Sequence, residues 1–233
     1  MTAVEFEHVA IRENGDPLVD LRSYPFDLSP SYFRRGLSPT SAMYVRHAVA
    51  RMLVSIQRSL APLTFRIWDG CRPRSVQSNI YLRYLANLRV THPEMDEAEL
   101  RKQAEVFVTE PGDPRRVPPH ATGGAVDLTL LDWAGQELDM GTAFDHFGPE
   151  SAALYFEDRP GNSLVRDNRR RLRDAMIGAG FRCDADEWWH FDFGNQIWAA
   201  HYKEPEAFYG EIGWRGLRPC TPTSDELGDQ EPG

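Results

Sequence analysis

Cysteine is scarce in this sequence. Its three residues, Cys71, Cys183 and Cys220, are odd in number and far apart. That excludes a disulfide framework and a CxxC metal site, and free thiols are expected. Long apolar runs are also missing. None approaches the ~20 residues needed to span a bilayer, so no membrane segment is expected. The first fifteen residues carry Glu5, Glu7 and Glu13, with no basic start followed by an apolar stretch. No export signal is therefore expected, and the cytoplasm is the expected location. Positive charge is short as well: 26 Lys and Arg against 35 Asp and Glu give a net charge of −9. This balance argues against nucleic acid or an anionic membrane as a partner.

What is present is ordinary for a globular chain. Of 233 residues, 41% are hydrophobic and 26% charged, enough for one domain with a substantial core. The first 40 residues are rich in Pro, Gly, Ser and aromatics and read as an irregular wrapping segment. Apolar spacing predicts a helix from Thr40 to Leu60, capped by Thr40 or Ser41. A strand follows over Thr64–Trp68, then a turn-rich loop, Asp69-Gly-Cys-Arg-Pro73. Further helices are predicted over Ser75–Leu88, with Leu82 among its core residues, and over Asp96–Val108. From Ala125 the period changes to two: Val126, Leu128 and Leu130 face one way, Asp127 and Thr129 the other. Leu164–Ala179 reads as an Arg-rich helix whose arginines, Arg166, Arg169, Arg170, Arg171 and Arg173, form a solvated face. Phe181–Cys183 and Trp188–Phe193 read as strands. Helices first and strands later imply an α+β fold, a single domain with a central antiparallel sheet flanked by helices. One folded domain is expected over residues 1–217, and the polar, acidic stretch 218–233 is expected to be disordered.

Two segments carry chemistry. In Pro119-His120-Ala-Thr-Gly123-Gly124-Ala-Val-Asp127 a loop delivers a histidine, and an aspartate lies within an apolar strand. A covered carboxylate needs a partner, and Gly123 and Gly124 permit the positive φ that folds His120 back towards Asp127. In Asp184-Ala-Asp-Glu187-Trp188-Trp189-His190-Phe191-Asp192-Phe193, His190 lies opposite Trp189, Phe191 and Phe193. Glu187 sits at the strand entry, where parity does not place it. Two histidines and a carboxylate are a common ligand set for catalytic zinc, with a fourth position left for water. Hydrolysis of an amide then needs a carboxylate to carry protons and a cation for the developing oxyanion. Arg72, presented by the turn after a strand, is a candidate for the latter. His8, His47, His92, His146 and His201 have no motif around them and read as non-ligands.

The segments Asp69-Gly-Cys-Arg72-Pro73, His120-x-x-Gly-x-Ala-x-Asp127-Leu-Thr-Leu, Met140-Gly-x-x-Phe-Asp145, Asn168-Arg-Arg-Arg-Leu172 and Glu187-Trp-Trp-His190 resemble the D-alanyl-D-alanine dipeptidases associated with vancomycin resistance. They stand in that family's order, over roughly residues 60 to 195. The resemblance implies a zinc peptidase fold shared with D,D-carboxypeptidases and the hedgehog amino-terminal domain. It implies one Zn2+ ion on His120, Asp127 and His190, with Glu187 as the base and Arg72 as the transition-state arginine. Asp145 matches a contact to the free amine of the dipeptide, and Tyr24 a pocket tyrosine. Pro118 stands where the family has a serine. The implied partner is a small dipeptide, most directly D-Ala-D-Ala; self-association into a homodimer is left open. Two other readings remain: a D,D-carboxypeptidase or other short-peptide peptidase, and a non-catalytic zinc-binding interaction module. A module would need neither Glu187 nor Arg72.

Overall fold

The structure is a computed structural model and describes residues 6, 8–105, 112, 116–159 and 161–213. The 218–233 tail, Cys220 and the end of the helix expected to reach Val108 lie outside the described residues.

A five-stranded sheet forms the centre. Its strands are β3 (Asp27–Leu28), β5 (Thr64–Asp69), β6 (Ala125–Leu131), β7 (Arg182–Cys183) and β8 (His190–Asp192), in the order β3-β5-β6-β8-β7. The pairs β5–β6, β6–β8 and β7–β8 are antiparallel, as expected, but β3 joins the edge of β5 in parallel. The first 40 residues are therefore not simply irregular. They hold β1 (Ala10–Ile11), β2 (Leu18–Asp20), β3 and the short helix α1 (Ser31–Arg34). β1 pairs with β9 (Glu206–Ala207), and β2 with β4 (Tyr44–Arg46).

Every residue of β6 is buried, because both faces of the sheet are covered. On one side Val126, Leu128 and Leu130 pack with Phe65 and Ile67 against α2 (His47–Ser59) and α5 (Ser163–Gly178), through Val49, Leu53, Ile56, Leu172 and Met176. Leu53 is fully buried, so Leu53→Ala should cost ~2–5 kcal/mol. A second cluster joins α3 (Arg74–Thr91) to α4 (Glu97–Ala104) through Val76, Ile80, Tyr84, Leu88 and Leu100, with Tyr32 at its edge. The last helix is α6 (Gln196–Tyr202).

Several elements differ from the sequence expectation. The helix expected from Thr40 begins only at His47, because Tyr44, Val45 and Arg46 are taken up by pairing with Leu18–Asp20. Leu82 is 59% exposed; it lies across the helix from the Val76–Ile80–Tyr84–Leu88 stripe. The Asp96 start of α4 is right, with a capping box between Asp96 and Glu99. The strand expected over Trp188–Phe193 is shortened by a turn at Trp188 and Trp189, closed by the His190 N–H donating to the Glu187 carbonyl at 3.2 Å. In α5, Arg170 and Arg171 are exposed, but Asn168 and Arg169 are buried. Cys71 and Cys183 are free thiols.

Candidate metal centre

Strand register assembles the centre. Asp127 on β6 lies opposite His190 on β8 and opposite Asp69 on β5, the latter after a bulge between Ile67 and Asp69. All three side chains therefore share the sheet face turned away from the α2–α5 core. His120 arrives from the turn Pro119–Thr122, just before β6. Gly123 closes that turn at φ +73°, a left-handed conformation. Gly124 has a different reason from the expected one: a Cβ there would collide with the Phe193 carbonyl. Arg46 props the turn from outside, its Nε donating to the Thr122 carbonyl at 2.7 Å and its main-chain N–H to the Gly123 carbonyl at 2.8 Å.

The three side chains meet closely. His120 Nε2 lies 3.2 Å from His190 Nδ1 and 3.3 Å from Asp127 Oδ2, and His190 Nδ1 lies 3.0 Å from Asp127 Oδ1. All three are buried. The far nitrogen of each ring is committed elsewhere. His120 Nδ1 donates to the Gly70 carbonyl at 2.7 Å, and His190 Nε2 donates to Asp192 Oδ1 at 3.1 Å. Neither acceptor can donate, so each ring turns a lone pair inwards, towards the other ring and towards a carboxylate.

A cluster of acceptors asks for a positive charge at its centre. The carboxylates show the same demand. Burial alone would raise Asp127, yet His120 and His190 hold it well below the ordinary range. Burial would lower His190, yet Asp192 and Asp127 raise it. Asp192 is itself fixed by Arg182 Nη1 and Asn195 Nδ2, each at 2.7 Å. Two imidazoles and one carboxylate, with their outer hydrogen bonds made, fit a zinc-type cation.

The centre opens onto a cleft of ≈160 Å³ that also exposes Arg72, Glu187, Asp145 and Tyr32. Arg72 follows β5, its main-chain N–H donating to the His120 carbonyl at 3.0 Å. Its guanidinium sits 4.8 Å over the Tyr32 ring and 3.4 Å from Asp69. Its Nε is buried without a hydrogen-bond acceptor among the described residues, and its Nη1 reaches Asp69 only at 3.4 Å, too long and misaligned for a good hydrogen bond. Buried donors left unmet are costly, so these point to an anionic group on a ligand. Glu187 is half-buried in the cleft wall. Burial pushes its carboxyl well above the ordinary range; His190 opposes this, and Asp184, Asp127 and Asp145 add to it.

Asp145 adopts φ +59°, and its side chain is 7% exposed. Tyr32 Oη donates to Asp145 Oδ1 at 3.1 Å, and Arg35 pairs with Oδ2. Tyr24 is not brought to the cleft. It is buried in the main core, stacked on Phe26 with centroids 6.1 Å apart, and Tyr32 is the tyrosine at the cleft. Asp192, Arg35 and the Gly70 carbonyl join the site without standing among the residues expected from sequence. Asp192 was findable: two residues beyond His190 in one strand, it must share its face. Arg35 and Gly70 carry no such signal. His146 is exposed and lies 3.4 Å from Glu150, outside the centre.

A mixed sheet carrying a buried His–Asp–His cluster beside a carboxyl and an arginine is the arrangement of a metallopeptidase. The family model described as D-ala-D-ala dipeptidase, Peptidase M15, matches residues 37–207, and the chain belongs to that family. A D-alanyl-D-alanine dipeptidase of Synechocystis sp. is 28% identical over 237 residues, covering 89% of this chain and 94% of the relative. That of Enterococcus faecalis is 33% identical over 154 residues, 62% of this chain and 70% of the relative. That of Escherichia coli is 41% identical over 73 residues, 31% of this chain and 36% of the relative. No described helix is long and apolar enough to cross a membrane.

Proposed function

We propose that this protein is a zinc dipeptidase that hydrolyses short D,D-dipeptides, D-Ala-D-Ala first among them, with one ion held by His120, Asp127 and His190. The observation that carries the reading is the convergence of three acceptor atoms on one point while Arg72 and Glu187 line the same cleft. The relatives' names supply the substrate. The cleft volume of ≈160 Å³ is small beside the ~300–1,000 Å³ of pockets for larger ligands, which suits a dipeptide.

When bound, the ion supplies Lewis acidity and lowers the pKa of water to about 7. Glu187, ionised beside the bound cation, accepts a proton from the attacking water and passes it to the leaving amine. Arg72 offers its unmet N–H donors to the oxygen that gains charge as the carbonyl becomes tetrahedral; loss of one such donor typically costs about 10²–10³ in rate. Asp145 receives the substrate's free amine, and Tyr32 orients that carboxylate.

The direct test is incubation of zinc-loaded protein with D-Ala-D-Ala, following release of alanine. The expected result is turnover that a chelator abolishes; no turnover overturns the reading. One observation favours a second reading, a peptidase for N-blocked D,D-peptides: Asp145 already has a cation partner in Arg35. Equal cleavage of D-Ala-D-Ala and its N-acetyl form would favour that second reading.

A further inference from the structure

The arginine run Asn168-Arg-Arg-Arg-Leu172 is left without a role by the chemistry above. One of its members is not on the surface. Arg169 is 4% exposed, and its described hydrogen bonds go to three main-chain carbonyls. Nε donates to Met140 at 2.7 Å, Nη1 to Ala152 at 2.8 Å and Nη2 to Glu150 at 2.9 Å. Its guanidinium also lies 4.7 Å from the Phe156 ring centroid and 5.5 Å from that of Trp188. Next to it, Asn168 Nδ2 donates to the Asp139 carbonyl at 3.0 Å. A fixed planar fork reaches three carbonyls at once; an ammonium on a flexible stem does not reproduce that spread.

These carbonyls are the two ends of one loop. The stretch 140–152 follows the Leu131–Glu137 bridge beyond β6, carries Asp145 at φ +59°, and leads into the turns before α5. Aspartate tolerates this left-handed conformation better than most residues do, and here the loop holds it there. The same loop is bonded to the segment that carries Glu187. Trp188 N–H donates to the Ser151 carbonyl at 3.0 Å, Ala153 N–H to the Ala185 carbonyl at 2.9 Å, and Trp188 Nε1 to Thr142 Oγ1 at 2.8 Å. The 185–188 segment and Arg169 hold the two ends of the loop, while its middle is held at Asp145 by Tyr32 and Arg35 and at Phe144 by stacking on Trp68, centroids 4.7 Å apart. The candidate metal ligands, on β6, β8 and the Pro119–Thr122 turn, are not among the partners of Arg169. Burial holds its guanidinium down at about 10, which marks how fully it is withdrawn from water.

We infer that Arg169 is a positioning residue: by clamping both ends of the 140–152 loop it sets Asp145 and the Glu187 segment on opposite sides of one cleft, independently of the metal centre. The inference takes the roles of Asp145 and Glu187 from the proposed function, but the clamp itself does not depend on them.

The test compares zinc-loaded wild type with Arg169→Met, Arg169→Lys and Thr142→Val. Three readouts are taken: zinc content, amide hydrogen exchange by peptide, and kcat and KM for D-Ala-D-Ala and its N-acetyl form. For Arg169→Met the expected result is unchanged zinc content, faster exchange in 139–153 and 185–188, and unchanged protection of β6. Its kcat/KM should fall by about 10²-fold, the order expected when reacting groups are misplaced by an ångström. The preference between free and acetylated substrate should narrow. Arg169→Lys should recover only part of this, and Thr142→Val, which removes one loop-to-segment bond, should shift the same peptides less. Unchanged exchange in both segments overturns the inference. So does a lowered melting temperature with kinetics per folded molecule as in wild type. Exchange is read without turnover, so an inactive wild type would refute the proposed reaction while leaving the clamp to be decided.

Discussion

The Nε2 proton of His190 is given to Asp192, 3.1 Å away on the same strand, and this bond decides which nitrogen faces Asp127. Asp192 is fully buried and held low by His190, Arg182 and Asn195 against the upward pull of burial. It keeps the ring in one tautomer and one orientation. Asp192→Asn should therefore weaken zinc binding by about 10–100-fold, the usual cost of losing such an outer partner. Competition with a chromogenic chelator measures it, and unchanged affinity would count against the assignment of Nδ1 as ligand atom.

Zinc should stabilise the fold. The acceptor cluster of His120, Asp127 and His190 is buried, so an ion that binds only the folded state adds about 2.7 kcal/mol at a free concentration 100 times its Kd. Thermal melts with excess zinc and with chelator should separate for wild type. For His120→Ala the two melts should coincide.

Recognition of a free amine by Asp145 should depend on pH. Burial raises its carboxyl to about 6, with Arg35 opposing. The charged form, which binds an ammonium, therefore grows as pH rises through about 6, while a peptide amine with pKa about 8 stays protonated. The ratio of kcat/KM for free over N-acetylated D-Ala-D-Ala should climb between pH 5 and 7. In Asp145→Asn it should be low and flat. Arg35→Ala should move the climb to higher pH, because Arg35 helps to keep Asp145 charged against burial. A flat wild-type profile would remove the amine role from Asp145.

Much of this was written in local pattern. The period-two run around Asp127 and the aromatic alternation around His190 gave the strand faces, and antiparallel pairing then placed Asp127 opposite His190. What stayed hidden depends on contacts distant in sequence. Val45 reads as helix until β2 claims it. Arg169 looks like one more surface arginine among four; only the return of the 140–152 loop, which no spacing encodes, turns it inwards. Glu187 could not be placed by parity because a turn, not a strand, joins it to His190. Tyr24 resembles the family's pocket tyrosine only by its place in the chain. The helix Ser31–Arg34 instead brings Tyr32 there, and Tyr24 completes the core.

In the proposed function Glu187 works as the base at a metal centre made by His120, Asp127 and His190. The most direct measurement is the rate of alanine release from D-Ala-D-Ala by zinc-loaded wild type and Glu187→Ala, with zinc content determined on the same samples. The expected result is one zinc per chain in both proteins and a rate lower by about 10²–10⁴-fold in the variant. Equal rates at equal zinc content would contradict it.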